Sequence, residues 1–344
     1  MLEGLTFDDV TLVPQFSEVG SRHDVNLTCG SHFGFGMSTP ILSANMATVT
    51  GPEMCRAMMN AGGAGVLHRF QSLYPNLTNE LESLKDTNFI GSIGVDENDY
   101  ITRLEIYNNY KCNVVCIDVA HGHHARVFKT IEFIKENYPE MTIIAGNICT
   151  AIAARNLLSV GVDVLKVGVG PGSHCTTRVV TGHGVPQITA IMDVRQAALD
   201  FTYQVPNRYG IIADGGIRNS GDIAKALAAG ADYVMVGKLL AGCKESPSEA
   251  IMTDGRLQKV YRGSASYEAQ RGRRDKSTII AEGVQSFVPY TGDTIDIIAN
   301  LSSGIKSACS YSGASSLKTF RDNAQLMRVT HSSYVEGTPH GARL

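Results

Sequence analysis

The sequence has no basic excess, no long apolar run and no concentrated set of cysteines, and each absence removes a class of protein. Its 30 Lys and Arg against 33 Asp and Glu leave a formal net charge of -3, which argues against a general nucleic-acid binder, whose contact face carries surplus positive charge. No uninterrupted apolar stretch approaches the roughly 20 residues of a membrane span. The opening MLEGLTFDDVTLVP carries acids and no basic segment followed by an apolar one, so no signal peptide and a cytoplasmic location are expected. The cysteines (Cys29, Cys55, Cys112, Cys116, Cys149, Cys175, Cys243 and Cys309) are scattered, which is not a disulfide framework. Cys112 and Cys116 lack a second pair for a zinc site. A G-x-G-x-x-G dinucleotide fingerprint opening a helix is missing; Gly168-Val-Gly-Pro-Gly resembles one only superficially. The sequons at Asn26, Asn76 and Asn300 read as chance matches without other signs of secretion. Linker-like low complexity is also absent, so residues 1–344 read as one domain.

What is present is a recurring alternation of short apolar runs and helical stretches, with a 43% apolar fraction that suffices for a large core. Strand candidates are Ile41–Met46, Ala64–Phe70, Phe89–Val95, Asn113–Ala120, Met141–Ile148, Val162–Val169, Tyr209–Gly215 and Ala231–Gly237, each the length of a buried parallel strand. A helix over Arg126–Tyr138 places Val127, Phe128, Ile131, Ile134 and Tyr138 on one stripe. Helix, glycine, strand recurs as MMNAGGAGVLHRF, LLSVGVDVLKVG and ALAAGADYVMVG, with the glycine suited to a left-handed helix cap. Eight such units predict a (β/α)8 barrel. Residues 1–40 read as an N-terminal arm with hairpin character. Residues 241–312, before a final helix near Leu317–Met327, read as a long active-site flap after the eighth strand.

In this fold chemistry sits where strands end and the following loops begin. Those ends supply Asn45 and Met46, His68 and Arg69, Asp118 with His121 and His123, Asn147, Asp214 and Gly237-Lys238. The most telling stretch is GVGPGSHCTTRVVTGHG, Gly168 to Gly184. Its glycines let the backbone approach a ligand closely. Cys175, flanked by Ser173, Thr176, Thr177 and Arg178, is placed as a nucleophile with proton-handling neighbours. The DGG and VGK turns follow the seventh and eighth strands, where barrels bind phosphate through backbone amides. Asp214 suits ribose hydroxyls, so a sugar phosphate or nucleotide fits. His121, His123 and His124 read as loop residues beside a ligand, because no second cluster of metal ligands accompanies them. The run Arg271 to Lys276 reads as a solvated loop whose place in the flap leaves a substrate role open.

These residues resemble the IMP dehydrogenase/GMP reductase family over nearly the whole length. The matches are LTFDDVTLVP, GPGSHCTTR, IIADGGIRNSGDIAKALAAGADYVMVG, and YRGSAS followed by AEGV. The resemblance implies a barrel, a purine 5′-monophosphate substrate, a nicotinamide cofactor and a homotetramer. It makes Cys175 the thiolate that adds to purine C2, with Thr177 and Glu282 as the pair that moves the proton. Ser173, Gly216, Gly237 and Lys238 are expected at the phosphate, and Asp214 at the ribose. Ser264, Ala265 and Glu282 are expected at the base, with Gly215, Gly263 and Gly283 completing the substrate site. Asp118, Val119 and Ala120, with Val169 and Gly170, form the expected nicotinamide side, and Ser21 and Arg22 are expected to reach a neighbouring subunit's cofactor. Carbonyls of Gly170, Gly172, Cys175 and Arg178 resemble the family's potassium loop.

Several features are reductase-like: Asn45-Met46, Ser21 to Asp24, Thr181-Gly182, and Cys309 to Ala314. So are the lack of room for a CBS insertion between Phe70 and Phe89 and the absence of an Arg-Tyr pair in the flap, where Arg273 and Arg274 precede Asp275. The expectation is therefore an NADPH-dependent GMP reductase. Ala120 to His123 and IADGGIRNSGDIAKA are dehydrogenase-like and keep a CBS-less, NAD-using IMP dehydrogenase as the alternative, with a non-catalytic purine-nucleotide binder as a third reading. The flap departs from both branches at Ser264, where methionine is usual, and at Ile279, where reductases carry arginine.

Overall fold

Apolar β-rich runs too short to be helices bury both faces when they pair in parallel, and here eight of them close on themselves. The computed structural model describes residues 3–201, 209–271 and 280–339. After an outlying strand, β1 (Val10–Val13), the barrel strands are β2 (Ile41–Ser43), β3 (Ala64–Val66), β4 (Phe89–Ile93), β5 (Val114–Asp118), β6 (Thr142–Ile148), β7 (Val164–Val167), β8 (Gly210–Asp214) and β9 (Tyr233–Val236). They pair in chain order, and β9 closes on β2 through Ile41 opposite Val234. All eight expected strands are present but shorter: Ala64–Val66 rather than Ala64–Phe70, for example. Pairing stops where the strands splay into the mouth loops, although the sequence remains apolar beyond that point.

Alternation along each strand sorts the side chains. Leu42, Val66, Ile90, Cys116, Ile144, Val164, Ile212 and Met235 fill the barrel interior. Their outward neighbours pack against the helices. The expected helix runs Ala125–Asn137, with Val127, Ile131 and Ile134 buried and Phe128 and Tyr138 partly so. The arm closes the base of the barrel. Cys29 and Met37 exchange backbone hydrogen bonds at 2.9 Å, which is the expected hairpin character. The loop between them carries Phe33 onto Tyr233, ring centroids 4.6 Å apart.

The expected flap boundaries need correction. Thr294–Tyr311 is a helix with Ile298, Leu301, Ile305 and Cys309 buried, and it packs between helix Ser220–Ala228 and helix Pro52–Asn60. It is the eighth helix of the ring, so the insertion ends before it. The insertion is also less irregular than expected. It contains an antiparallel sheet of β10 (Ala250–Thr253), β11 (Arg256–Arg262) and β12 (Gln285–Pro289). Asp254 and Gly255, φ 52° and 72°, form its two-residue turn, the geometry that right-twisted hairpins favour. The last expected helix ends at Asn323. Beyond it, β13 (Gln325–Arg328) pairs antiparallel with β1, Val10 opposite Arg328. Among the described residues no helix is long and apolar enough to cross a membrane.

Helix Pro52–Asn60 approaches β3 so closely that a Cβ on Gly65 would lie 2.6 Å from Cys55 Cα. Backbone cannot yield as a flexible side chain does. Gly65→Ala should therefore cost about 1–3 kcal/mol, read as a lower midpoint of denaturant unfolding with an unchanged far-UV CD spectrum.

Candidate active site

The layer above the apolar interior, at the C-terminal ends of the strands, is polar. One alternation step beyond Cys116, Val164 and Ile212 come Asp118, Lys166 and Asp214, so three adjacent-facing strands aim charged groups at one point. Lys166 Nζ lies 2.9 Å from Asp214 Oδ2 and 3.4 Å from Asp118 Oδ1, and also donates to Asn147 Oδ1. Its side chain is 2% exposed. Burial works against its charge, but Asp214 and Asp118 outweigh burial and hold its pKa above the ordinary lysine value. Burial likewise opposes ionisation of Asp118, and Lys166 with Arg69 overcomes it, so that carboxyl stays below the usual range. Arg69 Nε is 3.6 Å from Asp118 Oδ2, and the guanidinium lies over the Phe70 ring. Asn147 Nδ2 donates to Asp214 Oδ2 at 2.8 Å and to the Gly168 carbonyl at 2.7 Å.

The cysteine loop leaves β7 beside this cluster. Cys175 Sγ donates to Thr177 Oγ1 at 3.1 Å, and that hydroxyl donates to Glu282 Oε2 at 2.7 Å. This is a continuous path from thiol through hydroxyl to carboxylate, the arrangement that lets a nucleophile lose its proton or a leaving group gain one. Glu282 comes from the flap 105 residues away in sequence, and backbone pairing fixes it there. Thr176 N donates to Glu282 O, Glu282 N to Ala265 O, and Cys175 bridges to Gly283.

A cavity of about 1710 Å³ opens over the barrel mouth. The expected residues Asp118, Val119, Ala120, Val169, Gly170, Gly172, Ser173, Cys175, Thr177, Arg178, Asp214, Gly215, Gly216, Gly237, Lys238, Gly263, Ser264, Ala265 and Glu282 all line it. Three expected residues do not. Gly283 is buried behind Cys175, while Ser21 and Arg22 lie on a turn outside the cavity, Arg22 donating to Ser307 Oγ at 3.2 Å. Gly215 and Gly216, φ 93° and 84°, need the freedom of glycine for the turn after β8. Of the carbonyls expected at potassium, that of Gly172 accepts from Cys175 N and that of Arg178 from Gly182 N, which leaves each a second lone pair. The Arg178 guanidinium donates to the Val169 and Val185 carbonyls and braces the loop. Among the described residues no group of three or more His, Cys, Asp or Glu could hold a metal ion. Arg273, Arg274, Asp275 and Ile279, and the rest of the run Arg271 to Lys276 after Arg271, lie outside the described residues.

Sequence reasoning missed Lys166, Gln187 and Tyr261. Gln187, 2% exposed, donates to the Val167 and Asp214 carbonyls and ties β7 to β8. Tyr261 packs its ring on His174 at 4.3 Å. The one available signal was a lysine inside the apolar run Val162–Val167, at a position facing into the barrel.

Fold and site together define a barrel enzyme whose mouth joins a thiol–hydroxyl–carboxylate relay to a polar cradle. A family model described as IMP dehydrogenase / GMP reductase domain matches residues 4–340. An inosine-5′-monophosphate dehydrogenase of Borreliella burgdorferi is 37% identical, covering 98% of this chain and 97% of its own length. One of Nitrosopumilus maritimus is 31% identical over 99% of each chain. One of Halalkalibacterium halodurans is 45% identical over 67% of this chain and 48% of its own. The chain belongs to the IMP dehydrogenase/GMP reductase family, and it is an oxidoreductase acting on purine monophosphates.

Replacing Lys166 by methionine leaves two carboxylates facing each other with Arg69 alone. We expect Lys166→Met to lose about 3–5 kcal/mol at neutral pH. Asp118 ionises more readily folded than unfolded, so its pairing stabilises the fold above the unfolded carboxyl pKa of 3.8 and ceases to do so as pH falls through the folded value. The gap between wild type and variant should narrow as unfolding is measured toward that acidic range.

Proposed function

We propose that the chain oxidises inosine 5′-monophosphate at purine C2, with water then releasing xanthosine 5′-monophosphate. This reverses the order expected from the sequence. The shift is supported by the relatives described above, all named for the dehydrogenase and two of them aligned over almost their whole length. The observation that carries the chemistry is the unbroken relay from Cys175 through Thr177 to Glu282.

Ser173, Gly216, Gly237 and Lys238 hold the 5′-phosphate, Asp214 the ribose, and Gly263, Ser264 and Ala265 border the base. Gly215 lines the same turn, and Gly283 supports the cysteine loop from behind. Cys175 Sγ bonds to C2 as its proton passes through Thr177 to Glu282. A bound nicotinamide supplies the acceptor for the hydride that leaves C2. Glu282 returns the first proton through Thr177 to the sulfur as the C2–S bond of the resulting thioimidate breaks; of the attacking water's two protons one ends on purine N3 and the other on the vacated Glu282, from which it passes to solvent. The chain has no Arg-Tyr pair in the flap to take that proton, which leaves the task to the relay. Room for both ligands is supported by the cavity size, well beyond the roughly 300–1,000 Å³ of a site for one small molecule. Asp118, Val119, Ala120, Val169 and Gly170 border its cofactor side, with NAD as the cofactor. Potassium at the Gly170, Gly172, Cys175 and Arg178 carbonyls, a homotetramer that brings Ser21 and Arg22 to a neighbour's cofactor, and a cytoplasmic location complete the reading.

We also take the chain as one catalytic barrel without CBS domains. The alignment with the Nitrosopumilus relative spans 477 positions, more than the chain's 344 residues, so that relative carries internal residues this chain lacks. Here β3 and β4 are joined only by a turn and helix Thr78–Ser83.

A second reading is NADPH-dependent reductive deamination of GMP to IMP and ammonia. It is favoured by the missing Arg-Tyr pair, because the same relay can protonate a leaving amine. One paired assay separates the readings by absorbance of the reduced cofactor. IMP with NAD should produce it; consumption only with GMP and NADPH would establish the reductase. Silence in both with nucleotide still bound would mean a non-catalytic binder. Cys175→Ala should lower turnover by on the order of 10⁴-fold or more while nucleotide binding, measured by calorimetry, changes little. Appreciable residual turnover would remove the covalent mechanism.

A further inference from the structure

His174 sits between Ser173 and Cys175, and the relay does not use it. It is 9% exposed and bridges two hydroxyls: Nδ1 lies 3.3 Å from Ser173 Oγ and Nε2 lies 2.6 Å from Ser286 Oγ on β12. The Tyr261 ring packs against it at a 60° tilt, and the His174 carbonyl accepts from Val284 N at 3.0 Å, so the imidazole has little freedom to turn. Burial and the nearby Lys238 charge both push its pKa down, with the Ser173 backbone opposing them less strongly. The ring is therefore neutral near pH 7, with one nitrogen donating and the other accepting.

That leaves two arrangements. If Nδ1 accepts, it takes the single proton of Ser173. If Nδ1 carries the proton, it donates to Ser173 Oγ, whose own proton is free for an anion. The second arrangement requires Nε2 to accept, and the Ser286 hydroxyl is there to donate.

The geometry points to Ser286 and His174 as positioning residues that hold the Ser173 hydroxyl in the state that donates to the substrate's 5′-phosphate. The flap sheet thereby sets part of the affinity for the nucleotide. This rests on the proposed placement of phosphate at Ser173. The Tyr261 hydroxyl, which donates to Met46 Sδ at 3.7 Å, lies beside Ser173 and is a second acceptor for its proton, one that a bound phosphate has to displace.

The test is a double-mutant cycle on the full chain, with IMP and GMP as calorimetric probes. Ser286 is exposed, so its alanine variant keeps the fold. Ser173→Ala should weaken binding about fivefold to tenfold, the weight of one hydrogen bond to a charged group. Ser286→Ala should weaken it about threefold alone and have almost no effect in the Ser173→Ala background. In steady state the Ser286→Ala loss should fall on KM and leave kcat within about twofold. An equal factor in both backgrounds, or no effect in either, overturns the inference while leaving the phosphate placement intact. A silent Ser173→Ala overturns both.

Discussion

The site depends on one buried cation. Among the described residues Lys166 is the one cation that strands β5, β7 and β8 carry, and it faces Asp118 and Asp214. Without it, two carboxylates on neighbouring interior positions would repel across a space with little water. With it, the two carboxylates share one cation, one on the expected ribose side and one on the expected cofactor side. Arg69 holds the second oxygen of Asp118, Asn147 donates to the same Asp214 oxygen as the lysine, and Gln187 ties the strand ends together. The cradle is thus set before any ligand arrives, as preorganised electrostatics requires.

The flap supplies the other half. Its sheet delivers Glu282 to Thr177 by backbone pairing rather than by reach of a long side chain. A carboxylate on a loose loop would visit the hydroxyl; one whose neighbours pair with the cysteine loop stays there. The same pairing explains why Gly263 and Gly283 are small. A Cβ on either would stand 3.0 Å from the His174 carbonyl.

Much of this was legible in the sequence because the barrel repeats one pattern eight times, and because glycine turns at strand ends mark a mouth. Cys175, Thr177 and Glu282 were legible through their motifs. Lys166 was not, since one lysine in an apolar strand carries no periodic signal until opposing strands supply its partners. The helix Thr294–Tyr311 escaped because Ser302, Ser303 and Gly304 dilute its apolar stripe. Gly304 is small for a packing reason, with a Cβ there meeting Ser220 Oγ. The flap hairpin did carry a sign, Asp254-Gly255, but it sits among polar residues that read as loop. The choice between dehydrogenase and reductase was least legible, because the relay serves either proton direction.

The clasp between β1 and β13 has a consequence for biosynthesis. Val10 meets Arg328, so the pair closes a loop of nearly the entire chain, among the slowest kinds of contact to form. A ribosome must release the last strand before the first has its partner. Until then Thr11 and Leu12 present an open edge. During synthesis that edge stays available to chaperones or to a second nascent chain until β13 reaches it.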